Sequence, residues 1–346
     1  MVNRPLNGRG VQGGDPCLRR VQISALATYV PPRLLTNADL EKLVDTTDEW
    51  ILQRTGIRER HVVDPGVATS DLARHAAVAA IAQAGLTPDD IDFIVVGTTT
   101  PDMVFPSTAC LLQHKIGATR AWGFDLGAAC SGFTYALTTA THMIAAGTHR
   151  HALVVGADVM SSIIDYQDRA TCVLFGDGAG AAVVSPAADG SFGIIDFEHE
   201  IDGTGGPALC MPAGGSLRPA SHETVDRRLH YVKQDGQAVF KFAVRKTEEI
   251  CRRLLARNAI EPSQIDLFVS HQANRRIIMS AAEKLGLPAE RVVINIERFG
   301  NTTAATIPLA LNDAIADRRL KKGDLLLVTS VGAGFTAGAV LMRWAF

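Results

Sequence analysis

The sequence predicts a layered α/β fold made of two similar halves, and three observations support this prediction. Short apolar segments such as IDFIVVG at 91–97 alternate with longer segments of helical periodicity, as in proteins with buried parallel strands. The segment AGLTPDDIDFIVV at 84–96 is echoed by NAIEPSQIDLFVS at 258–270, an offset of 174 residues. HALVVG at 151–156 is echoed by DLLLVT at 324–329, an offset of 173 residues. A near-constant offset over several elements indicates an internal duplication.

Domain boundaries follow from this repeat. We place the join near residue 190, which gives an N-terminal half over 18–190 and a C-terminal half over 191–346. Residues 1–17 are rich in Gly, Pro and Arg and lack the apolar core of a signal peptide, so we expect a flexible N-terminal extension. A tight seam between similar halves favours one rigid body with a site at that seam.

Capping and turn residues divide each half into elements. Ser70 and Asp71 begin a helix that ends at Gly85, and the helix before the second copy of the repeat covers roughly 237–257. Pro308 is expected to kink or interrupt the helix that follows Asn301. The predicted strands of the first half lie at 18–27, 91–97, 152–156 and within 175–184. The last of these follows the glycines of FGDGAGAAVV directly, so this motif does not indicate a dinucleotide-binding loop, which would lead into a helix.

The stretch FDLGAACSGFTYALTTATHMIAAG at 124–147 carries the strongest candidate for a reactive residue. Its small residues and helical periodicity predict a turn that presents Cys130 at the start of a buried helix. Free N–H groups and the positive end of the helix dipole would lower the pKa of the thiol and favour a nucleophilic thiolate. For a cysteine taken alone, a small buried thiol without chemistry is the alternative.

Composition and charge exclude several classes of function. The 346 residues carry a formal net charge of −2, so the whole-chain balance favours neither nucleic acid nor a membrane surface as a partner. No apolar run approaches the ~20 residues of a membrane span. Six cysteines without CxxC pairs or metal-ligand spacing indicate reduced thiols in a cytoplasmic protein without a bound metal. We expect no permanently bound cofactor.

Two further candidates lie in the second half. His271 follows the strand IDLFVS, and Asn301 opens a helix 171 residues after Cys130. Ends of strands and helices are where α/β folds usually carry their sites. A Cys, His and Asn trio can form a thioester intermediate, and the same chain order serves papain-like hydrolases. The context AACSGF and the duplicated halves weigh against the protease.

Three motifs around these residues resemble a known family. DLGAACSGF, HQANRRII and ERFGNTTAAT are similar to the active-site blocks of the β-ketoacyl-acyl-carrier-protein synthase III family of thiolase-fold condensing enzymes. The resemblance runs from about residue 18 to 346 and includes TTDEWILQRTGIRERH and VLFGDGAGAAVV. It implies a thiolase-like fold, layered α-β-α-β-α, in a homodimer that acts on an acyl-CoA and malonyl-acyl carrier protein.

The resemblance implies a role for each matching catalytic residue. Cys130 takes the acyl group from the coenzyme A thioester, which is a substrate. His271 and Asn301 bind the thioester carbonyl of malonyl carrier protein while carbon dioxide leaves. Negative charge develops on that oxygen, and preorganised N–H donors stabilise it. The backbone N–H groups of Cys130 and Ala333 form a second oxyanion site, although the family usually has glycine at the position of Ala333.

Other matching positions are expected to bind the coenzyme A thioester. Trp50 and Arg169 would hold the adenine between them by stacking and cation–π contact. The entrance of the tunnel would be lined by Arg54, Asn274 and Arg276.

Two protein contacts are also implied. Phe105 would cross the dimer interface and cap the acyl pocket of the partner. Lys241 and Arg276 would dock the acidic carrier protein, since opposite charges steer such encounters.

The sequence therefore predicts a cytoplasmic acyltransferase that begins fatty-acid synthesis, with acetyl-CoA as the expected primer. The same machinery could act on another primer in a polyketide or signalling pathway. A thioester hydrolase or acyltransferase without condensation, and a non-catalytic binding module, are the alternatives from other classes.

Overall fold

Two large mixed sheets organise the computed structural model, which describes residues 19–346. The predicted extension at 1–17 lies outside the described residues. The strands are β1 (Val21–Tyr29), β2 (Leu34–Thr36), β3 (Glu59–His61), β4 (Phe93–Gly97), β5 (Trp122–Leu126), β6 (Ala152–Asp158), β7 (Gly178–Pro186), β8 (Gly193–Ile201), β9 (Leu209–Cys210), β10 (Lys233–Gln234), β11 (Leu267–Ser270), β12 (Leu325–Gly332) and β13 (Thr336–Arg343). The helices are α1 (Asn37–Leu40), α2 (Asp48–Thr55), α3 (Thr69–Gln83), α4 (Thr108–Ile116), α5 (Gly132–Ala145), α6 (Arg169–Cys172), α7 (His222–Asp226), α8 (Gly236–Arg257), α9 (Arg275–Leu285), α10 (Ile296–Phe299) and α11 (Thr306–Ala316).

The two large sheets share one strand order. The first runs β1-β7-β6-β4-β5 and the second β8-β13-β12-β11. In each sheet a parallel pair, β4 with β6 or β11 with β12, is followed by two antiparallel neighbours. In the first sheet β5 pairs with β4 as the edge strand. At the equivalent position of the second sheet, Val292 forms a single parallel bridge to Phe268 of β11. The repeat in the sequence thus corresponds to a repeat in topology, and residue 190 lies in the connection between β7 and β8.

Helices separate and cover the sheets. Helices α3 and α4 pack on the outer face of the first sheet, α5 and α11 lie between the sheets, and α8 with α9 covers the second. Phe133 and Leu137 of α5 and Ile307 and Leu311 of α11 are all buried in the central core. Burial of each such side chain stabilises the fold by about 1.5–3 kcal/mol. The predicted layered α-β-α-β-α fold is confirmed.

Glycines let the central turns approach the ends of two strands. A Cβ on Gly97, at the end of β4, would lie 2.5 Å from the carbonyl carbon of Gly132. A Cβ on Gly156, in β6, would lie 2.4 Å from the carbonyl oxygen of Ala304. Because a side chain does not fit at either position, the start of α5 and the turn before α11 can sit directly over the first sheet.

One local prediction was wrong. Pro308 does not kink or interrupt its helix, because α11 begins only at Thr306 and Pro308 lies in the first turn. The N–H that proline lacks has no helical partner there in any case. Within residues 19–346, no helix has both the length and the apolar character needed to cross a bilayer.

Candidate active site

Cys130 lies in a short 3-10 turn, Ala129–Ser131, between β5 and α5. Ala129 has a φ of 47°, in the left-handed region that residues with a Cβ rarely adopt. The cysteine itself is 6% exposed. The strained residue before it turns the chain sharply, so that the sulfur faces the seam between the two halves.

The predicted activation of this thiol is wrong. Burial, and to a lesser degree the negative charge of Asp158, raises the pKa of Cys130 to about 12. Its own backbone N–H acts in the opposite direction but is the weaker influence. The residue lies in the 3-10 turn that precedes α5 and not in the first turn of that helix. The side chain is therefore a neutral thiol at physiological pH.

His271 directly follows β11 and is 5% exposed. Its backbone N–H donates to the carbonyl of Thr329 at 2.8 Å, which fixes the residue at the end of the second sheet. Its Nδ1 lies 2.6 Å from Oγ1 of Thr306. Burial lowers the pKa of the imidazole to about 3, so the ring is uncharged at physiological pH. A neutral imidazole can act as a hydrogen-bonding group but not as a fixed cation.

Asn301 is held through both its backbone and its side chain. Its N–H donates to the carbonyl of Leu174 at 2.9 Å, and its carbonyl accepts from the N–H of Gly176 at 3.1 Å. Its side-chain Oδ1 accepts the N–H of Thr303 at 2.9 Å. Among the described residues no hydrogen bond uses its Nδ2, which is left as a donor toward the cavity.

The structure brings these three side chains to one cavity of about 210 Å³. Cys130 comes from the first half, and His271 and Asn301 come from the second. Trp50 and Arg54, two of the predicted coenzyme A residues, line the same cavity. Its apolar wall is formed by Val173, Leu174, Phe175, Leu209, Val239, Phe240, Ala243, Ile277 and Phe335.

A second cavity of about 130 Å³ also reaches Cys130. Its lining is mostly apolar, and Phe175 and Leu209 belong to both cavities. Ala129, Phe175 and Thr303 lie in the motifs quoted above and Ala333 was a predicted oxyanion residue, but nothing in the sequence indicated that these distant segments line one cavity. The lining residues are Thr99, Ala129, Met160, Ile163, Phe175, Leu209, Cys210, Met211, Val232, Thr303 and Ala333.

The loop at 332–334 packs directly against the cysteine turn. A Cβ on Gly332 would lie 2.8 Å from the backbone nitrogen of Cys130. Thr336 donates its hydroxyl to the carbonyl of Ala128 at 3.0 Å and so fastens the loop. Ala333 lines the smaller cavity beside the sulfur. Its role as a backbone donor stays a prediction.

Trp50 and Arg169 contact each other. The Arg169 guanidinium lies 4.4 Å from the centre of the Trp50 ring, and its Nη1 donates to the carbonyl of Asp45 at 2.8 Å. A planar adenine needs about 3.5 Å on each of its faces. The predicted adenine sandwich therefore requires the arginine to move away from the tryptophan, and it stays a prediction.

Asn274 lines the larger cavity, but its carboxamide is already bonded at both ends. Nδ2 donates to the carbonyl of Arg54 at 2.9 Å, and Oδ1 accepts the N–H of Arg276 at 2.8 Å. The second bond caps helix α9. Asparagine is a common N-cap, so this structural use could have been inferred from its place before RRII. The residue joins α2 to α9 across the cavity wall.

The remaining predicted contacts lie on the surface. Lys241 and Arg276 are exposed, and the Arg276 guanidinium lies 5.5 Å from the centre of the Phe240 ring, which lines the larger cavity. Phe105 is 82% exposed and lines neither cavity of its own chain. Its predicted place is in the pocket of another copy, so this role stays a prediction.

A buried carboxylate beneath the site was missed from the sequence. Asp158, fully buried at the end of β6, accepts hydrogen bonds through Oδ1 from three consecutive threonines, Thr98, Thr99 and Thr100. Its Oδ2 accepts the hydroxyl of Thr303 and, at 3.2 Å, the N–H of Ala304. It thus connects a wall of the smaller cavity to the segment that carries Asn301.

Comparison with known proteins agrees with the motifs. The profile of 3-oxoacyl-[acyl-carrier-protein] synthase III matches residues 124–203, and the profile of the C-terminal part of the same family matches residues 255–344. A β-ketoacyl-[acyl-carrier-protein] synthase III of Solibacter usitatus is 61% identical over 94% of this chain and 99% of its own.

Solved structures agree as well. The 3-oxoacyl-[acyl-carrier-protein] synthase III of Aquifex aeolicus has a TM-score of 0.86 and 43% identity, over 94% of this chain and all of its own. The priming β-ketosynthase of the R1128 polyketide biosynthetic pathway has a TM-score of 0.87 and 34% identity, over 97% and 99% of the two chains. Together with the motifs and the thiolase-like fold, these likenesses show that the chain belongs to the β-ketoacyl-acyl-carrier-protein synthase III family of condensing enzymes.

Proposed function

We propose that this protein catalyses the decarboxylative condensation of an acyl-CoA primer, expected to be acetyl-CoA, with malonyl-acyl carrier protein. The products are 3-oxoacyl carrier protein, coenzyme A and carbon dioxide. One observation carries the proposal: Cys130 stands where two cavities meet, one lined by His271 and Asn301 and the other mostly apolar.

In the first step the Cys130 sulfur attacks the carbonyl carbon of the acyl-CoA. The bond from that carbon to the coenzyme A sulfur breaks, and the proton lost by Cys130 ends on the released thiol. Backbone N–H groups of Cys130 and Ala333 stabilise the negative oxygen of the intermediate. The acyl chain then extends into the smaller cavity, whose volume of about 130 Å³ suits a short chain.

In the second step malonyl carrier protein enters the larger cavity. Its thioester oxygen accepts hydrogen bonds from Nδ2 of Asn301 and from the imidazole of His271. The bond to the carboxylate breaks, carbon dioxide leaves, and the enolate carbon attacks the acyl-cysteine. This releases the Cys130 thiolate, which takes a proton from water. Each such donor lowers the barrier by about 2.7–4 kcal/mol. Both side chains are neutral hydrogen-bond donors, so we assign them to stabilising negative charge and not to the proton relay that a carboxylate base would perform.

Substrate binding completes the proposal. Trp50, Arg169, Arg54 and Asn274 hold the coenzyme A moiety at the mouth of the larger cavity. Exposed Lys241 and Arg276 attract the acidic carrier protein, and the protein acts in the cytoplasm as a homodimer in which Phe105 caps the partner's acyl pocket. The exposure of the consecutive apolar residues Met103, Val104 and Phe105, 48%, 87% and 82%, supports such an interface, because contiguous exposed apolar side chains mark protein contacts.

The test follows carbon dioxide and the acyl group separately. Wild-type protein should release labelled carbon dioxide from malonyl carrier protein in the presence of acetyl-CoA and should gain one acetyl group on Cys130 by mass spectrometry. Cys130→Ala should carry no acetyl group, whereas Cys110→Ala, at an exposed cysteine, should behave as wild type. Hydrolysis of acetyl-CoA without release of carbon dioxide would instead favour a thioesterase.

A second candidate is the same condensation with a different primer in polyketide synthesis. The 34% identity to a priming β-ketosynthase of a polyketide pathway favours it. Turnover measured over a series of acetyl-, branched and longer acyl-CoA substrates separates the two, because a polyketide primer other than acetyl would show the higher kcat/KM.

A further inference from the structure

Two acceptors, Nδ1 of His271 and the carbonyl oxygen of Thr303, compete for the hydroxyl proton of Thr306 at the start of α11. The Thr306 hydroxyl lies 2.6 Å from Nδ1 of His271 and 2.9 Å from the carbonyl oxygen of Thr303. A hydroxyl has a single proton to donate. If the proton goes to Thr303, then His271 must carry its own proton on Nδ1, and its Nε2 is a bare acceptor. If it goes to Nδ1, the neutral ring carries its proton on Nε2.

The distances favour the second arrangement. Hydrogen bonds donated by N–H are commonly 2.9–3.0 Å long, whereas those donated by O–H are commonly about 2.7–2.8 Å. The contact of 2.6 Å between Oγ1 and Nδ1 is short for an N–H donor and suits a hydroxyl donor. Both residues are buried, at 5% and 1% exposure, so water does not compete for either group.

We propose that Thr306 is a positioning residue, which donates its hydroxyl proton to Nδ1 and so holds His271 as the Nε2–H tautomer. The inference rests on the proposed function, because only that function needs a donor at Nε2. In residues 19–346 no hydrogen bond uses Nε2, so its N–H is left for the cavity that the ring lines. The imidazole remains neutral in this state, because burial holds its pKa far below physiological pH.

The segment that presents Thr306 is held rigidly. Thr303, three residues earlier, donates to the buried carboxylate of Asp158, and its own carbonyl faces the Thr306 hydroxyl. The position of the hydroxyl is therefore set by the same buried carboxylate that supports the Asn301 segment. One threonine thereby determines whether the second donor of the site has a proton to offer.

The test compares three variants. Thr306→Val keeps the shape of the side chain but removes the proton, Thr306→Ser keeps the proton, and Thr302→Val is the matched control. Thr302 is fully buried on the same segment, and its hydroxyl has no hydrogen-bond partner among residues 19–346. Nitrogen-15 NMR of histidine-labelled protein reads the tautomer of His271, assigned by its loss in His271→Ala. Acetylation of Cys130 and carbon dioxide release are measured on the same samples.

Wild type, Thr306→Ser and Thr302→Val should all show a proton on Nε2. Thr306→Val should show a mixture of tautomers, release carbon dioxide about 10- to 100-fold more slowly and acetylate Cys130 at an unchanged rate, because one oxyanion donor is lost in part. A wild-type ring with its proton on Nδ1 overturns the proposal even if Thr306→Val does not fold. A Thr306→Val protein with an unchanged tautomer does so as well. If the wild type releases no carbon dioxide, the proposed function fails while the NMR result still decides the tautomer.

Discussion

Thr303 donates its hydroxyl proton to the carboxylate of Asp158, and this bond ties the segment that carries Asn301 to the end of strand β6. Thr303 has a φ of 50°, a conformation that costs free energy in a residue with a branched side chain. The buried carboxylate stabilises it there. Since the N–H of Thr303 in turn orients the carboxamide of Asn301, the geometry of the site depends on Asp158, which lines neither cavity.

Removal of the Asp158 charge should therefore destabilise the protein. In the present protein, both carboxylate oxygens of Asp158 accept hydrogen bonds. Asp158→Asn replaces one of these oxygens with an NH₂ group, so the threonine hydroxyls and N–H groups that donate to that oxygen lose their acceptor. We expect a loss of about 3–5 kcal/mol in the free energy of unfolding, the range seen when one partner of a buried charged network is removed. Urea unfolding measures it, with Asp226→Asn at an exposed position as the control. A loss below about 1 kcal/mol would show that the network is not a main support of the fold.

His271→Ala and Asn301→Ala should separate the two chemical steps. Both variants should still be acetylated on Cys130, because neither side chain takes part in the first attack. Carbon dioxide release should fall by about 10²–10³-fold in each, since each removes one donor to the developing negative charge. Radiolabelled acetyl transfer and carbon dioxide release measure the two steps. Equal loss of both steps in either variant contradicts this division of roles.

Trp50→Ala and Arg169→Ala should weaken binding of the coenzyme A thioester. A cation–π or stacking contact at an exposed site contributes about 0.5–1 kcal/mol, so KM for acetyl-CoA should rise about two- to fivefold with little change in kcat. Acetyl-pantetheine, which lacks the adenine nucleotide, is the control substrate. The KM for acetyl-pantetheine should be the same in both variants as in wild type. If it rises as much as the KM for acetyl-CoA, then Trp50 and Arg169 do not bind the adenine nucleotide.

Alkylation of Cys130 should report its raised pKa. Because the thiolate is the nucleophile and the pKa lies near 12, the rate with iodoacetamide should climb about tenfold per pH unit from pH 6 to 9. Peptide mass spectrometry follows Cys130 and the exposed Cys110 in one sample. A plateau for Cys130 below pH 8 would restore the thiolate that the sequence suggested.

Acid should destabilise the folded protein partly through His271. Burial lowers the pKa of its imidazole from 6.5 to about 3, so the unfolded chain binds a proton that the folded chain does not. The stabilisation is complete above pH 6.5 and is lost progressively as the pH falls toward 3. Urea unfolding measures the free energy of unfolding at pH 7.5 and at pH 5. Between these pH values it should decrease less for His271→Asn than for wild type. The control His222→Asn, at an exposed histidine, should show the same decrease as wild type. Equal decreases in wild type and His271→Asn would mean that this ring is protonated in the folded state.

Local and repeated patterns made much of this protein predictable from its sequence. The offset that relates 84–96 to 258–270 reflects two copies of one strand order. Each strand is a contiguous segment of the chain, so its repetition can be seen in the sequence. Cys130, His271 and Asn301 stand in long motifs, so resemblance identified them before any geometry was known.

Features that depend on three-dimensional neighbours were not predictable. The pKa of Cys130 depends on how much water its surroundings exclude, and the position of a residue beside a helix does not reveal this. The smaller cavity is formed by side chains from segments between Thr99 and Ala333, and most of these segments share no motif or repeat in the sequence. Asp158 and Thr306 act through hydrogen bonds to residues more than 30 positions away in sequence.

The cavity lined by Trp50 and Arg54 leads to Cys130. In the proposed reaction both thioesters must reach this one sulfur. Both pantetheine arms would have to lie in this one cavity to bring their thioesters to the same sulfur. Coenzyme A must therefore depart before the carrier-bound malonyl group arrives, which imposes a ping-pong order. Free coenzyme A then competes with malonyl carrier protein, and abundance of the first product would slow the reaction before any separate regulator acts.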